Sequence, residues 1–412
     1  MNVAVFHPGT QHSWQTALAL QQLGRLEWYA TSIFYQPDRF PYRLERIAPA
    51  PLARRMNREF RRFSHPGLNP ELVRTTGLAE WLERIAARAG WRELARRLDA
   101  FGNKRFVAQI EAALRAPERF ALWGYSGSSE TSFALGKELG RPLILDRTIG
   151  DFRVYNARMA ELQDRYGEWF LPTERSVPQE HIERDQREFE LADVVLVGSE
   201  FAAETIRQCA GSAVAAKLKV LPYCFDEALF AQQPRPAKVA RDEPVRFLFV
   251  GQINPRKGIH LLLEAFDRLP RAAATLTLVG DLRVPRSVFA RYADRLTYLP
   301  TVARADIPRI MAEHHVLVFP SYFEGSALSL LEALASGLAI IQTPSSGNGV
   351  TPETGIMLDR LSVDTVHQAL LSAIEDHDQL NAWRAAAPGE AQSYTFGRYR
   401  DAIGALLTTM GI

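Results

Sequence analysis

Apolar residues in this chain come in short continuous runs, and many stretches between them carry apolar positions at helical spacing. Val3 to His7 is the first run and predicts a strand, while His12 to Leu23 has the period of a helix. Leu26 to Phe34 predicts a second strand. Arg43 to about Arg115 is long, rich in arginine and mostly helical in pattern. Strands resume at Phe120 to Trp123, Pro142 to Leu145 and Val194 to Val197. Ser199, just before Glu200 and Phe201, is set to cap a helix. Lys219 to Leu221 closes this half.

Gln232 to Pro244, with three prolines and several charges, predicts a linker. A second alternating series follows it. Val245 to Val250, Thr275 to Val279, Val316 to Phe319 and Leu338 to Gln342 predict strands. Gly258 to Leu269, Gly325 to Ser336 and Val363 to Glu375 predict helices, and Tyr394 to Leu407 a last helix that returns to the first half. Strands alternating with helices imply parallel sheets covered on both faces. The expected fold is therefore α/β, with two halves facing a cleft and ligands at the carboxyl ends of the strands.

Composition narrows the class. A chain of 412 residues is too long for one ordinary core, and 47% hydrophobic with 23% charged residues is globular. The formal net charge of +2 gives no global field that selects nucleic acid. Locally, Arg54 to Arg62 is basic and interleaved with apolar residues. It has two readings, a surface for anionic lipid or a solvated helix face. Cys209 and Cys224 build neither a disulfide framework nor a metal-ligand spacing. The first residues lack a basic region ahead of an apolar one, and no apolar run approaches the ~20 residues of a membrane span. A cytoplasmic protein is expected, with peripheral contact at the inner face of a membrane left open.

The chemistry concentrates in the second half. Glu324 and Glu332 stand eight positions apart, the first in a Gly-Ser turn after an apolar run, the second on the helix that follows. Such a turn aims free backbone N–H groups outward, where the helix dipole favours an anion. The pair suits a polyhydroxylated ligand with a phosphate tail, as in a nucleotide sugar; alternatively Glu332 is solvated and Glu324 is a loop residue. Gly251 to Gly258 follows the first strand of this half. There Arg256 and Lys257 bring two cations to a strand-to-helix turn, which suits a diphosphate, or else they are two solvated bases. No Ser or Thr follows the lysine as in a Walker loop, and no Gly-x-Gly-x-x-Gly follows a strand, which counts against a dinucleotide site.

Gly251 to Gly258, Phe319-Pro320-Ser321, Glu324 to Glu332 and Ala335-Ser336-Gly337 together resemble family 4 retaining glycosyltransferases of the GT-B fold. Pro222-Tyr223-Cys224-Phe225-Asp226 is similar to that family's Pro-Tyr-Gly-Val-Asp signature, and Ala192 to Phe201 to its first-domain strand and helix. The likeness is close in the second half and patchy in the first. It implies an acceptor-binding Rossmann-like domain over 1–231, with the helix 394–412 packing back on it. A linker over 232–244 and a nucleotide-sugar-binding Rossmann-like domain over 245–393 complete the chain.

The implied activity is a hexosyltransferase that moves a hexose from a nucleoside diphosphate sugar to a hydroxyl acceptor. The acceptor would be a glycan or lipid-linked glycan of cell-surface polysaccharide assembly. A nucleotide-sugar epimerase of the same fold and a catalytically idle nucleotide-sugar binder stay open. Lys257 would meet the donor diphosphate and Glu324 the transferred sugar. Glu332 would hold the ribose, backbone groups of Ser326, Ala327 and Leu328 would cradle phosphate and sugar, and Val302 would border the base. Gly251, Gln252 and Arg256 would line the donor site; Gly9, Thr10 and His12 would lie on the acceptor side. The sequence departs from the pattern at Gln252, where the family usually has Arg, at Cys224 for Gly, and at Ser326-Ala327 for Phe-Gly. No cofactor and no metal requirement are expected. His314 and His315, adjacent and without a third ligand, are taken as structural.

Overall fold

The computed structural model describes residues 1–9, 12–61, 63, 65, 67–230 and 237–412. Thr10, Arg62 and the linker residues 232–236 lie outside the described residues. The chain divides into two compact units. One comprises Met1–Asp146, Glu183–Leu196 and Arg400–Ile412; the other comprises Arg147–Ile182 and Val197–Tyr399.

Two parallel sheets organise the chain. The first has seven strands: β1 (Asn2–Phe6), β2 (Leu26–Thr31), β3 (Val73–Thr75), β4 (Phe120–Tyr125), β5 (Leu143–Arg147), β6 (Val194–Val197) and β7 (Leu218–Val220). Their order is β3-β2-β1-β4-β5-β6-β7. The second has six: β8 (Val245–Val250), β9 (Ala274–Val279), β10 (Thr297–Leu299), β11 (Val316–Phe319), β12 (Ala339–Gln342) and β13 (Gly355–Met357). Their order is β10-β9-β8-β11-β12-β13. Both are Rossmann-like, as the alternating pattern predicts. The central strands β4 and β11 are continuous runs of buried, mostly apolar residues because helices cover both faces. All six residues of β4 are buried, and Phe249 stacks on Phe319 from the neighbouring strand β11 with ring centroids 5.7 Å apart.

The differences from the sequence pattern have local causes. β3, β10 and β13 have three residues each, too few to show a period, and each lies at a sheet edge. The helix expected from Gly325 starts at Leu328, because Gly325 to Ala327 form a loop that the turn chemistry of Gly and Ser favours. The arginine-rich region holds the helices Ala50–Arg61, Leu78–Arg88 and Arg92–Leu114. Among the described residues, no helix is long and apolar enough to cross a membrane.

Candidate functional site

The second unit gathers most of the predicted residues at the carboxyl ends of β8 and β11. After β8 the chain turns at Gly251 and enters a short 3-10 turn, Pro255–Lys257. Asn254 caps that turn, its side chain accepting the Lys257 N–H at 3.1 Å. Gly258 then starts the helix Ile259–Asp267 with φ +69°, and a Cβ there would lie 2.0 Å from the Pro320 carbonyl oxygen. Only glycine meets both demands. The outcome is that Arg256 and Lys257 are aimed at the end of β11.

There they converge on Glu324. Its Oε1 accepts from Arg256 Nη1 at 2.6 Å, from Lys257 Nζ at 2.8 Å and from Ser321 Oγ at 2.8 Å. Lys257 Nζ also sits 4.6 Å from the centroid of the Phe319 ring, a cation–π contact. Burial disfavours the Glu324 carboxylate. The Lys257 and Arg256 charges and these hydrogen bonds outweigh it and hold the pKa below the usual range. The other oxygen, Oε2, takes no partner among the described residues.

Gly325 follows, and a Cβ on it would lie 1.9 Å from the Thr148 carbonyl oxygen. The loop is pinned further. Glu324 N–H donates to Ser345 O at 3.0 Å, Ala327 N–H to Ser346 O at 3.1 Å, and Arg158 to Tyr322 O at 2.7 Å. Ala327 N–H, expected to face a ligand, is thus already used. The Ser326 and Leu328 N–H groups have no partner among the described residues, and Ser326 Oγ is buried without one.

Glu332 lies in the helix Leu328–Ala335 and is buried. Arg304 Nη2 reaches its Oε1 at 3.1 Å. Burial pushes its carboxyl up to about 7, with Arg304 opposing and Asp226 adding to the rise. Val302, two residues before Arg304, is half-buried against the core of this unit. Gln252 is exposed, and its Oε1 accepts weakly from Asn254 at 3.4 Å. Arg256 points inward at this turn beside Lys257. Cys224 is buried, its thiol pushed up to about 12 by burial.

Gly9 and His12 belong to the first unit. Gly9 N–H donates to His7 Nδ1 at 3.0 Å, and His12 precedes the helix Ser13–Gln22 without capping it. Glu188 was not singled out from sequence. It is fully buried and accepts the N–H groups of Gly127, Ser129 and Glu130 at 2.7, 2.7 and 3.1 Å, which occupies the start of the helix Glu130–Glu138.

His314 bonds Ile310 O and Thr277, and His315 accepts from Arg246 N–H. The sequence does contain one Asp-x-Asp, Asp376-His377-Asp378. Asp376 caps a helix, and Asp378 pairs with Arg241 at 2.7 Å. Among the described residues no group of three His, Cys, Asp or Glu is placed to hold a metal.

Residues that sequence reasoning missed include Ser321 as a partner of Glu324, Arg304 as the partner of Glu332, and Thr148. Ser321 stood inside a quoted motif. Arg304 and Thr148 carried no signal, because both act through a fold that brings distant segments together.

Residues 244–376 match the family model described as glycosyl transferases group 1. That segment, 133 of the chain's 412 residues, is similar to the group 1 glycosyl transferases. The O-antigen chain mannosyltransferase B of Escherichia coli is 31% identical over 161 residues, which cover 36% of this chain and 41% of that protein. The match therefore spans less than half of that relative. Sucrose-phosphate synthase from Thermosynechococcus elongatus superposes with TM-score 0.64 at 16% identity, covering 100% of this chain and 99% of the other. Anabaena HepE in complex with UDP and glucose superposes with TM-score 0.61 at 14% identity, covering 99% and 100%. These superpositions show the fold, which is the GT-B fold.

Proposed function

We propose that this transferase moves a hexose from a nucleoside diphosphate sugar to a hydroxyl acceptor with retention of anomeric configuration. The observation that carries the reading is the convergence of Arg256, Lys257 and Glu324 beside the unpartnered N–H groups of Ser326 and Leu328. Two cations and a helix start in one buried corner are matched to a diphosphate. The relative solved with UDP and glucose supports the same class of donor.

Before donor arrives, Glu324 holds both cations in place, so little reorganisation is needed when the diphosphate draws on them. As the bond from the anomeric carbon to the diphosphate oxygen breaks, Arg256, Lys257 and the helix start take up the charge on that oxygen. Glu324 Oε2, left without a partner, lies beside the sugar as positive character develops. The acceptor oxygen attacks from the leaving-group side, and its proton passes to the departing phosphate oxygen. That route needs no separate protein base. Glu332, on the next turns of the same helix, accepts from the ribose hydroxyls, and Val302 borders the base. Gly9, Thr10 and His12 serve the acceptor, and a glycan or lipid-linked glycan of cell-surface polysaccharide assembly is the acceptor class.

A thermal-shift panel of UDP-, GDP-, ADP- and CMP-sugars tests the donor half. A ligand at a hundred times its Kd adds about 2.7 kcal/mol, which is several degrees for the domain that binds it. Incubation of the stabilising sugar with hydroxyl acceptors then tests transfer. A shift with turnover to a glycoside supports the reading. A shift without turnover against any acceptor favours an idle binder, and altered donor without glycoside favours an epimerase. No shift with any of the four removes the donor assignment.

A further inference from the structure

We propose that the helical segment 43–115 of the first unit docks on an anionic lipid bilayer. The chain's formal charge is +2, yet 43–115 holds 16 Lys and Arg against 8 Asp and Glu, which leaves 33 against 39 for all other residues. A net +8 therefore sits on this segment while the remainder of the chain carries −6. That segregation gives a local field that the overall charge conceals.

Apolar exposure concentrates in the same place. Among the described residues 13 large hydrophobic side chains are exposed, and eight of them fall in this segment, with Ile47, Ile85, Trp91 and Phe101 each more than half exposed. On the helix Arg92–Leu114, Leu94, Leu98 and Phe101 stand at i, i+4 and i+7 in one stripe, with Leu94 and Phe101 about half exposed and Leu98 partly buried. Arg92, Lys104 and Arg105 flank it, and the Arg105 guanidinium lies 5.8 Å from the Phe101 ring centroid. The helix Leu78–Arg88 packs beside this one and adds Leu82 and Ile85. Between it and the helix Ala50–Arg61 runs a groove lined by Leu52, Met56 and Trp81, with Arg84 and Arg88 also on its walls.

An anionic bilayer answers both features at once. Headgroup phosphates pair with the arginines, while the apolar stripe enters the acyl boundary and the long basic side chains reach back to the headgroups. A dissolved polyanion would meet the charge and leave the apolar stripe wet. The inference is independent of the transfer reaction, since vesicle binding needs no turnover.

The test is co-sedimentation of the full chain with phosphatidylcholine vesicles, with and without about 30% phosphatidylglycerol. Binding is expected with the anionic vesicles only, with release at about 0.5 M salt. A blue shift of tryptophan emission should accompany it and be absent in Trp91→Phe. The pair Leu94→Asp/Phe101→Asp and the set Arg92→Glu/Lys104→Glu/Arg105→Glu should each lower partitioning about tenfold or more, with the melting transition little changed. If the Asp pair fails to fold, Leu94→Ser/Phe101→Ser replaces it. Failure of the wild-type chain to bind anionic vesicles at low salt overturns the proposal. So does capture on heparin together with vesicle binding that ignores the apolar substitutions, which would assign the surface to a soluble polyanion.

Discussion

The corner built by 251–258 and 319–332 and the segment 43–115 are both rich in charge, and they handle it in opposite ways. In the corner, cations are buried and directed: Arg256 and Lys257 meet one carboxylate oxygen, and glycines let backbones approach where any Cβ would clash. In 43–115 every Lys and Arg side chain described except Arg84 is exposed, and eight large apolar side chains are exposed beside them. A buried charge must find a partner because desolvation is costly. An exposed one is free to wait for a partner from outside. The first region therefore reveals chemistry through its internal contacts, and the second through what its contacts leave uncovered.

The largest expected effect tests the directed cations. Lys257→Ala should lower kcat for glycosyl transfer about a thousandfold, the scale of removing one preorganised charge-stabilising group, while the melting transition moves little. Near-wild-type turnover would break the assignment of that corner to the leaving diphosphate. Next comes the backbone approach. Gly325→Ala places a methyl 1.9 Å from the Thr148 carbonyl oxygen, so urea unfolding should show a loss of about 3 kcal/mol or more. A change below about 0.5 kcal/mol would mean that the loop relaxes freely.

Glu332 gives a pH test whose sign follows from its raised pKa. A carboxyl at about 7 in the fold against an ordinary 4.5 binds its proton more tightly when folded. Stability is therefore lost as pH rises from about 4.5 through about 7. Glu332→Gln should be up to about 3 kcal/mol more stable than wild type at pH 8 and nearly equal to it at pH 4. The same variant should raise the donor KM. A stability gap that ignores pH would remove burial as the cause. Glu188 is raised to about 7 as well, so some pH dependence should survive the substitution. The smallest effect is expected in the other region. Leu94→Asp/Phe101→Asp should change folding stability by only about 1 kcal/mol, the helix-propensity cost of two aspartates, because about half of each side chain is already exposed. A large loss would show that they are part of a core.

The alternation of strand and helix and the ordered motifs of the second half follow from local periodicity and turn chemistry, and they were legible in the chain. Lys257, Glu324 and Glu332 stood at readable spacings for the same reason. The edge strands β3, β10 and β13 were too short to show a period. The partners were beyond reach, because Arg304 and Glu332 lie far apart in sequence, as do Thr148 and Gly325. Sequence showed that Gln252 and Arg256 occupy the turn but not which one points inward. That was decided by Gly258, whose close approach to Pro320 sets the direction of the whole turn. Sequence by itself determined which elements form and where the charge lies along the chain. Tertiary structure alone decided which charges are buried, which backbone donors are already used and which apolar side chains remain uncovered, because desolvation and hydrogen-bond pairing depend on neighbours that the fold, and not chain order, brings together.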